Sequence, residues 1–549
     1  MNLLSKYLNK VDFANFEDFS KNVQIKHVDT FNFAYDVVDE YARICPDKRA
    51  LVWCNNHGEE KIMTFGELSK LSNQAANMLK AKGFKKGDFL MTMLSRRYEY
   101  YIINVACCKL GVVLVPATFL LTVKDIEYRC NSADIKALVA INEDDVINYI
   151  KEAAPECSTL KYLFTVGERD GFIDFNKEIA SFSDELVMLP EELPAINDTM
   201  LVYFTSGTTG YPKMVANSFK YPLGHIMTAY YWHAVVDDGL HFTMAESGWA
   251  KFSWGKLYGQ WIAGSAVFCY DYYGRFTPTD VLPLIEKYSI TTFCAPPTIY
   301  RFLIREDLTK YNFSSLVSCT TAGEPLNGEV FKQFRQITGI TIREGFGQSE
   351  SCVMLAAFRY CEAHPGSIGL PCPIYDIVLM DDDDSIIEGN DEEGEVVIKI
   401  RDDQFGLLIG YHKDAERTHD AVETGYYHTG DLATRDANGY FWFVGRKDDI
   451  IKSSGYRIGP FEVESALQEH PTVLECAITG VPDELRGSII KATIILAKGY
   501  EASDELKKEL QDYVKHNTAP YKYPRIIDFV DALPKTASGK IMRKDLRKR

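Results

Sequence analysis

LVYFTSGTTGYPKMV, residues 201–215, joins an apolar run with the character of a buried strand to a loop of two glycines and four hydroxyl residues that ends at Lys213. Glycines keep such a loop free of side-chain bulk, so its backbone N–H groups can approach an anion, and the hydroxyls add donors. Thr205, Ser206, Gly207, Thr208, Thr209 and Gly210 are therefore candidates for wrapping phosphate oxygens, with Lys213 supplying a point charge. A flexible turn carrying a surface lysine is the plainer alternative. The loop is not of the Walker type, which requires G-x-x-x-x-G-K-[ST]: two residues separate Gly210 from Lys213, and Met214 follows the lysine.

Upstream of this loop, helical and extended patterns alternate. Thr64 is placed to cap a helix whose apolar positions Phe65, Leu68, Leu71, Ala75 and Leu79 recur at helical spacing, and Gly83 ends it. FLMTML (89–94) reads as a strand, YYIINVACCKL (100–110) as a helix and VVLVPAT (112–118) as a buried strand; Val123 to Ser132 reads as a helix and ALVAI (137–141) as another strand. The alternation predicts an α/β fold with parallel or mixed sheets flanked by helices.

After Gly445-Arg446 the texture changes. A compact stretch holds a helix from Pro460, extended runs CAITGV (476–481) and SIIKATIILA (488–497), and an amphipathic helix from Ser503 to about His516. At 549 residues the chain exceeds what one core organises. The expected division is a large domain, 1–446, and a small, mobile α+β domain, 447–549. Asp381 to Asp384 is expected to be a solvated turn between strands.

Hydrophobic residues make up 46% and charged residues 25%, a globular composition. Sixty basic against 77 acidic side chains leave a net charge of −17, which disfavours non-specific binding to nucleic acid or anionic membrane. The longest apolar stretch, Ile102 to Leu121, is broken by Lys109, Gly111 and Pro116, so it reads as helix, turn and strand and not as a membrane span. Thirteen cysteines without C-x-x-C spacing fit neither a disulfide framework nor a zinc site. With no secretory leader read at the start, the expectation is a cytoplasmic protein with reduced thiols.

Further motifs follow in order: TTAGEPL (320–326), EGFGQSE (344–350), YYHTGDL (426–432), GRKDDIIKSSGYRIGP (445–460) and PKTASGK (534–540). Each is weak alone; together, the sequence resembles the AMP-forming acyl-CoA synthetases of the adenylate-forming superfamily, most closely their medium-chain branch. The resemblance spans essentially the whole chain and is densest in 450–471 and 518–525.

That resemblance implies the adenylate-forming fold and a two-step ligase. ATP and a carboxylic acid form an acyl-adenylate and pyrophosphate, and the thiol of coenzyme A then displaces AMP. The Thr205–Lys213 loop would hold the β- and γ-phosphates. Gly323, Glu324 and Pro325 would line the adenine with Phe346 stacked on it, amid Glu344, Gly345, Gly347 and Gln348. Ser349 would reach the α-phosphate, Glu350 would ligate Mg²⁺, Asp431 would accept both ribose hydroxyls and Arg446 would add contacts. Lys540 would stabilise charge building up on the phosphate during adenylation, by electrostatics and not by proton transfer. Thr205 and Lys213 join Lys540 and Glu350 as the catalytic set. For the second step the small domain would rotate about Asp448, withdrawing Lys540 and bringing in Ser454, Gly455, Tyr456 and Arg457. Arg486, Tyr523, Pro524 and Arg525 would contact coenzyme A. Leu120 is a departure, since medium-chain relatives place a polar CoA contact near it.

The acyl pocket is expected between the 246–261 segment and the strand end at Cys294, floored by Trp249 and Trp254 with Trp232 nearby. Gly347 stands where the acetate-specific branch carries a wall-forming tryptophan, so longer acids should fit. Lys251, if it points inward, would favour short or branched acids. The expectation is a short-to-medium-chain, or branched, carboxylic acid. An acetate-specific synthetase, an enzyme loading a separate carrier protein and a catalytically silent binding protein are the alternatives. A homodimer is the expected assembly; nucleic acid and stable membrane insertion are not expected.

Overall fold

The structure is a computed structural model that describes every residue except 206–211, 275, 325, 423, 455, 484–485, 536–540 and 548–549; the side chain at 457 is also not described. The sequence-level capping signal is realised at Phe65–Ala81. Thr64 accepts the Glu67 amide and Glu67 accepts the Thr64 amide at 2.9 Å, closing a capping box. Such a cap stabilises a helix by about 1 kcal/mol. Phe65, Leu68, Ala75 and Leu79 form the buried stripe, and Gly83 follows the helix with φ +78°, a conformation glycine adopts without strain.

Two large sheets organise the body. One has eight strands, with Thr199–Thr205, Val113–Pro116, Phe89–Met93, Ile135–Ala140 and Tyr162–Thr165 mutually parallel and Lys213–Ser218 antiparallel at one side. These strands are almost continuously apolar because helices cover the sheet. The second sheet has thirteen strands. Its parallel part runs through Arg49–Asn55, Ala266–Asp271, Leu240–Thr243, Thr292–Cys294, Ser318–Ala322 and Ile342–Phe346. It then continues antiparallel through Ser367–Pro371, Phe441–Arg446, Tyr426–Arg435, Gly394–Lys399 and Asp376–Met380. The acidic run 381–384 begins directly after the last of these strands and lies in the connection to Gly394–Lys399.

From Ile451 onward the chain builds a core of its own from Ile451, Ile458, Val463, Leu467, Cys476, Ile478 and Ile490. It comprises the hairpin Ile451–Ser453/Tyr456–Ile458, the sheet Val473–Asp483, Gly487–Leu496 and Ile526–Phe529, and helices Pro460–Gln468 and Asp504–Asn517, the latter capped by Ser503. All thirteen cysteines are free. Among the described residues, no helix is long and apolar enough to cross a membrane.

Candidate active site

Parallel strands of both sheets deliver their carboxyl ends to one cavity of about 580 Å³. Thr205 ends the strand Thr199–Thr205, Met244 follows Leu240–Thr243, Pro296 follows Thr292–Cys294, Gly323 follows Ser318–Ala322 and Gly347 follows Ile342–Phe346; all five line the cavity. Binding at strand carboxyl ends is the general habit of α/β sheets, because the loops there are free to vary while the strands hold them rigidly.

The polar end of the cavity is formed by Thr205, Gly323, Glu324, Gln348 and Ser349. Glu324 accepts from Thr298 Oγ1 at 3.1 Å and lies 3.6 Å from Arg301. Gln348 connects this end to a second polar group. Its amide nitrogen donates to the Asp431 carboxylate and to Thr429 O at 2.8 Å, while Tyr427 donates to its carbonyl at 2.7 Å. Arg446 lies 3.4 Å from Asp431 and 3.1 Å from Thr429 O, and its Nε is 3.4 Å from Asp448. Asp431 is thus a buried carboxylate held by an amide and a guanidinium, a pre-oriented acceptor.

A third group centres on Glu350, which accepts from Tyr411 at 3.2 Å. Lys213 Nζ stands 5.3 Å from the Tyr411 ring centroid, and partial burial lowers its pKa against the opposing pull of Glu350. Among the described residues, no three of His, Cys, Asp and Glu converge to hold a metal. A hard cation here would be held by the Glu350 carboxylate together with phosphate oxygens of a nucleotide, the donor set Mg²⁺ commonly takes.

Glu344 has a hydrogen-bond partner within the protein. It is buried and accepts the Leu326 amide at 3.1 Å, and burial raises its pKa to about 8. Phe346 lies 6.1 Å from Phe443, centroid to centroid, and is not on the cavity wall. Gly345 is required by a close approach: a Cβ there would stand 2.4 Å from Trp232.

The apolar walls include Trp249, Lys251, Trp254 and Gly347. Trp232 and Cys294, expected on this wall, stand behind it: Trp232 packs edge-on against Trp254 at 6.0 Å, and Cys294 is buried in its strand. Gly347 lines the cavity beside Trp254. A Cβ at 347 would meet Trp254 Cη2 at 2.4 Å, so the indole occupies the room that glycine leaves. Lys251 donates to Ala322 O at 2.8 Å, which draws its head toward the strand end. The nearby histidines are core residues: His241 bonds Thr292 and Thr243 at 2.7 Å, and His233 bonds Thr320 at 2.7 Å.

Glu246, Arg96, Tyr203 and Lys256 also line the cavity and were not singled out from the sequence. The available signal was an acid and a lysine inside the aromatic, glycine-rich 246–261 stretch.

In the small domain, Arg486 donates to Ser454 Oγ at 3.2 Å, and Tyr456 stacks on Tyr521 at 4.0 Å. The guanidinium of Arg525 lies over Tyr523 at 4.7 Å, on the backbone that also carries Pro524. Lys535 borders the cavity. Ser206, Gly207, Thr208, Thr209, Gly210, Pro325, Gly455, Lys540 and the side chain of Arg457 lie outside the described residues.

A cleft with a hydroxyl-bearing strand end, a pre-oriented carboxylate and an apolar chamber defines an enzyme that joins a nucleotide to an organic acid. Residues 38–411 match the AMP-binding enzyme family and 462–540 match the AMP-binding enzyme C-terminal domain, so the chain belongs to that family and is an AMP-forming acid–thiol ligase. It is 38% identical over 550 residues to the mitochondrial acyl-coenzyme A synthetase ACSM3 of Mus musculus, covering 98% of this chain and 94% of the relative. It is 40% identical over 529 residues to the mitochondrial ACSM5 of Homo sapiens, covering 94% and 90%. Among solved structures it resembles the anthranilate CoA ligase AuaEII in complex with anthranoyl-AMP, with TM-score 0.86, 28% identity and coverage of 95% and 98%.

Proposed function

We propose that this ligase activates a short-to-medium-chain carboxylic acid, branched acids included, and passes the acyl group to coenzyme A. The observation that carries the reading is the single cavity whose polar end holds Thr205, Gln348 and Ser349 and whose walls are Trp249 and Trp254. An adenylate at the polar end and a hydrocarbon against the indoles would share its volume of about 580 Å³. In this reading the carboxylate attacks the α-phosphorus of ATP and pyrophosphate leaves; the thiol then attacks the acyl carbonyl and AMP leaves. Mg²⁺, when bound, would offset phosphate charge beside Glu350. The 205–213 loop would hold the phosphates, and Asp431 the ribose.

The second displacement needs space that pyrophosphate and Lys540 had filled. Rotation of a domain spanning 447–549 about Asp448 would clear it and present Ser454, Gly455, Tyr456 and Arg457, with Arg486, Tyr523, Pro524 and Arg525 toward coenzyme A. A homodimer in the cytoplasm completes the proposal. The test is AMP formation from acetate through dodecanoate, 2-methylbutyrate and benzoate, with and without coenzyme A. Lys540→Ala should lose adenylation yet convert supplied acyl-adenylate to thioester; loss of both half-reactions, or ADP as product, overturns the reading.

A further inference from the structure

The chamber's deep side carries a cation that an aliphatic pocket does not need. Lys256 caps the helix Ala250–Gly255, only 1% of its surface is exposed, and it lines the cavity together with Arg96, Tyr270 and Tyr272. Among the described residues its ammonium donates to Cys269 Sγ at 3.5 Å, a weak acceptor whose thiol itself donates to Arg96 O at 3.0 Å. The rings of Phe252 and Phe242 lie 5.4 and 5.7 Å from Nζ, within cation–π range. Arg96 stacks on the Tyr272 ring at 3.9 Å and donates to its hydroxyl at 3.0 Å and to Ser95 Oγ at 3.3 Å, and its charge acts on the buried Glu246 carboxyl that also lines the cavity. Burial lowers the Lys256 pKa, Arg96 opposes its charge as well, and Cys269 and Asp271 favour it. Burying an amine with three donors costs several kcal/mol unless acceptors meet it, whereas methionine would fill the same volume without that cost.

We infer that Lys256, with Arg96 beside it, recognises a hydrogen-bond acceptor at the far end of the acid, so that the preferred substrates carry a carbonyl or carboxylate oxygen distal to the carboxyl that is activated. The assignment rests on the ligase reading above and narrows its substrate class. Lys256 follows by two residues the indole of Trp254 that walls the acyl chamber, and this continuity favours the acid over the pantetheine arm as the occupant.

The experiment compares hexanoate, 5-oxohexanoate and adipate by pyrophosphate release in the absence of coenzyme A, using wild type and Lys256→Met. Wild type should prefer 5-oxohexanoate or adipate to hexanoate. The variant should lower that ratio of kcat/KM values at least about tenfold, because a site built around donors discriminates strongly against partners that lack acceptors. Thermal melting should show Lys256→Met folded, since it removes a buried amine. An unchanged ratio in an active variant, or an effect confined to the KM for coenzyme A in the thioester step, would overturn the assignment alone. No pyrophosphate release by wild type with any acid would overturn the ligase reading and this assignment with it.

Discussion

The indole of Trp254 rests against the backbone of Gly347 so closely that a methyl group at position 347 would stand 2.4 Å from its Cη2. The two residues are therefore one device: the glycine admits the indole, and the indole bounds the chamber.

Chain-length preference should follow that device. Trp254→Ala should shift the optimum in kcat/KM toward longer acids, because each added methylene that finds apolar surface is worth about 0.8 kcal/mol, roughly fourfold. Gly347→Val should reduce activity on all acids by displacing the indole. A kcat/KM series from butyrate to dodecanoate checks both, and an unmoved optimum in Trp254→Ala would refute the wall.

Glu350 and Tyr411 should separate in magnitude. Glu350→Gln should slow adenylation by about 100-fold, since a cation bound beside the phosphates would lose its anionic donor. Tyr411→Phe removes only the 3.2 Å hydrogen bond and should cost a few-fold. Pyrophosphate exchange measured against Mg²⁺ concentration distinguishes them, the Gln variant alone requiring much more Mg²⁺.

Gln348→Leu should raise the KM for ATP about tenfold with a smaller change in kcat, because Asp431 loses the amide that orients it. Asp431→Asn should raise it at least as much. Equal KM values in wild type and Gln348→Leu would show that Arg446 orients Asp431 unaided.

Glu344 gives a pH dependence with a defined sign. Its folded pKa of about 8 exceeds the ordinary value of 4.5, so between those values the folded state holds a proton that the unfolded state has released. Stability from this group is fully present below pH 4.5 and is lost as pH rises through 8. Glu344→Gln should flatten the fall in urea midpoint between pH 5 and 9 relative to wild type; parallel profiles would contradict the assignment.

Much of the body was legible because its signals are local. The capping box at Thr64 and Glu67 and the helix Val123–Ser132 lie where periodicity and capping chemistry put them, since those preferences act within a few residues. The pocket wall was not legible in the same way. Trp232, Trp254 and Cys294 look alike as apolar residues near a motif, and which one faces the cavity depends on strands far apart in the chain.

The sequence by itself determined the strand–helix alternation, the phosphate-loop composition and the order of the motifs, because each depends on neighbours along the backbone. Only the tertiary structure decided that Gln348 holds Asp431 across 83 positions, that Glu344 receives the Leu326 amide and that Trp254 fills the space before Gly347. Those are matters of side-chain packing between distant segments, and close packing is set by the assembled sheets and not by any single stretch of chain.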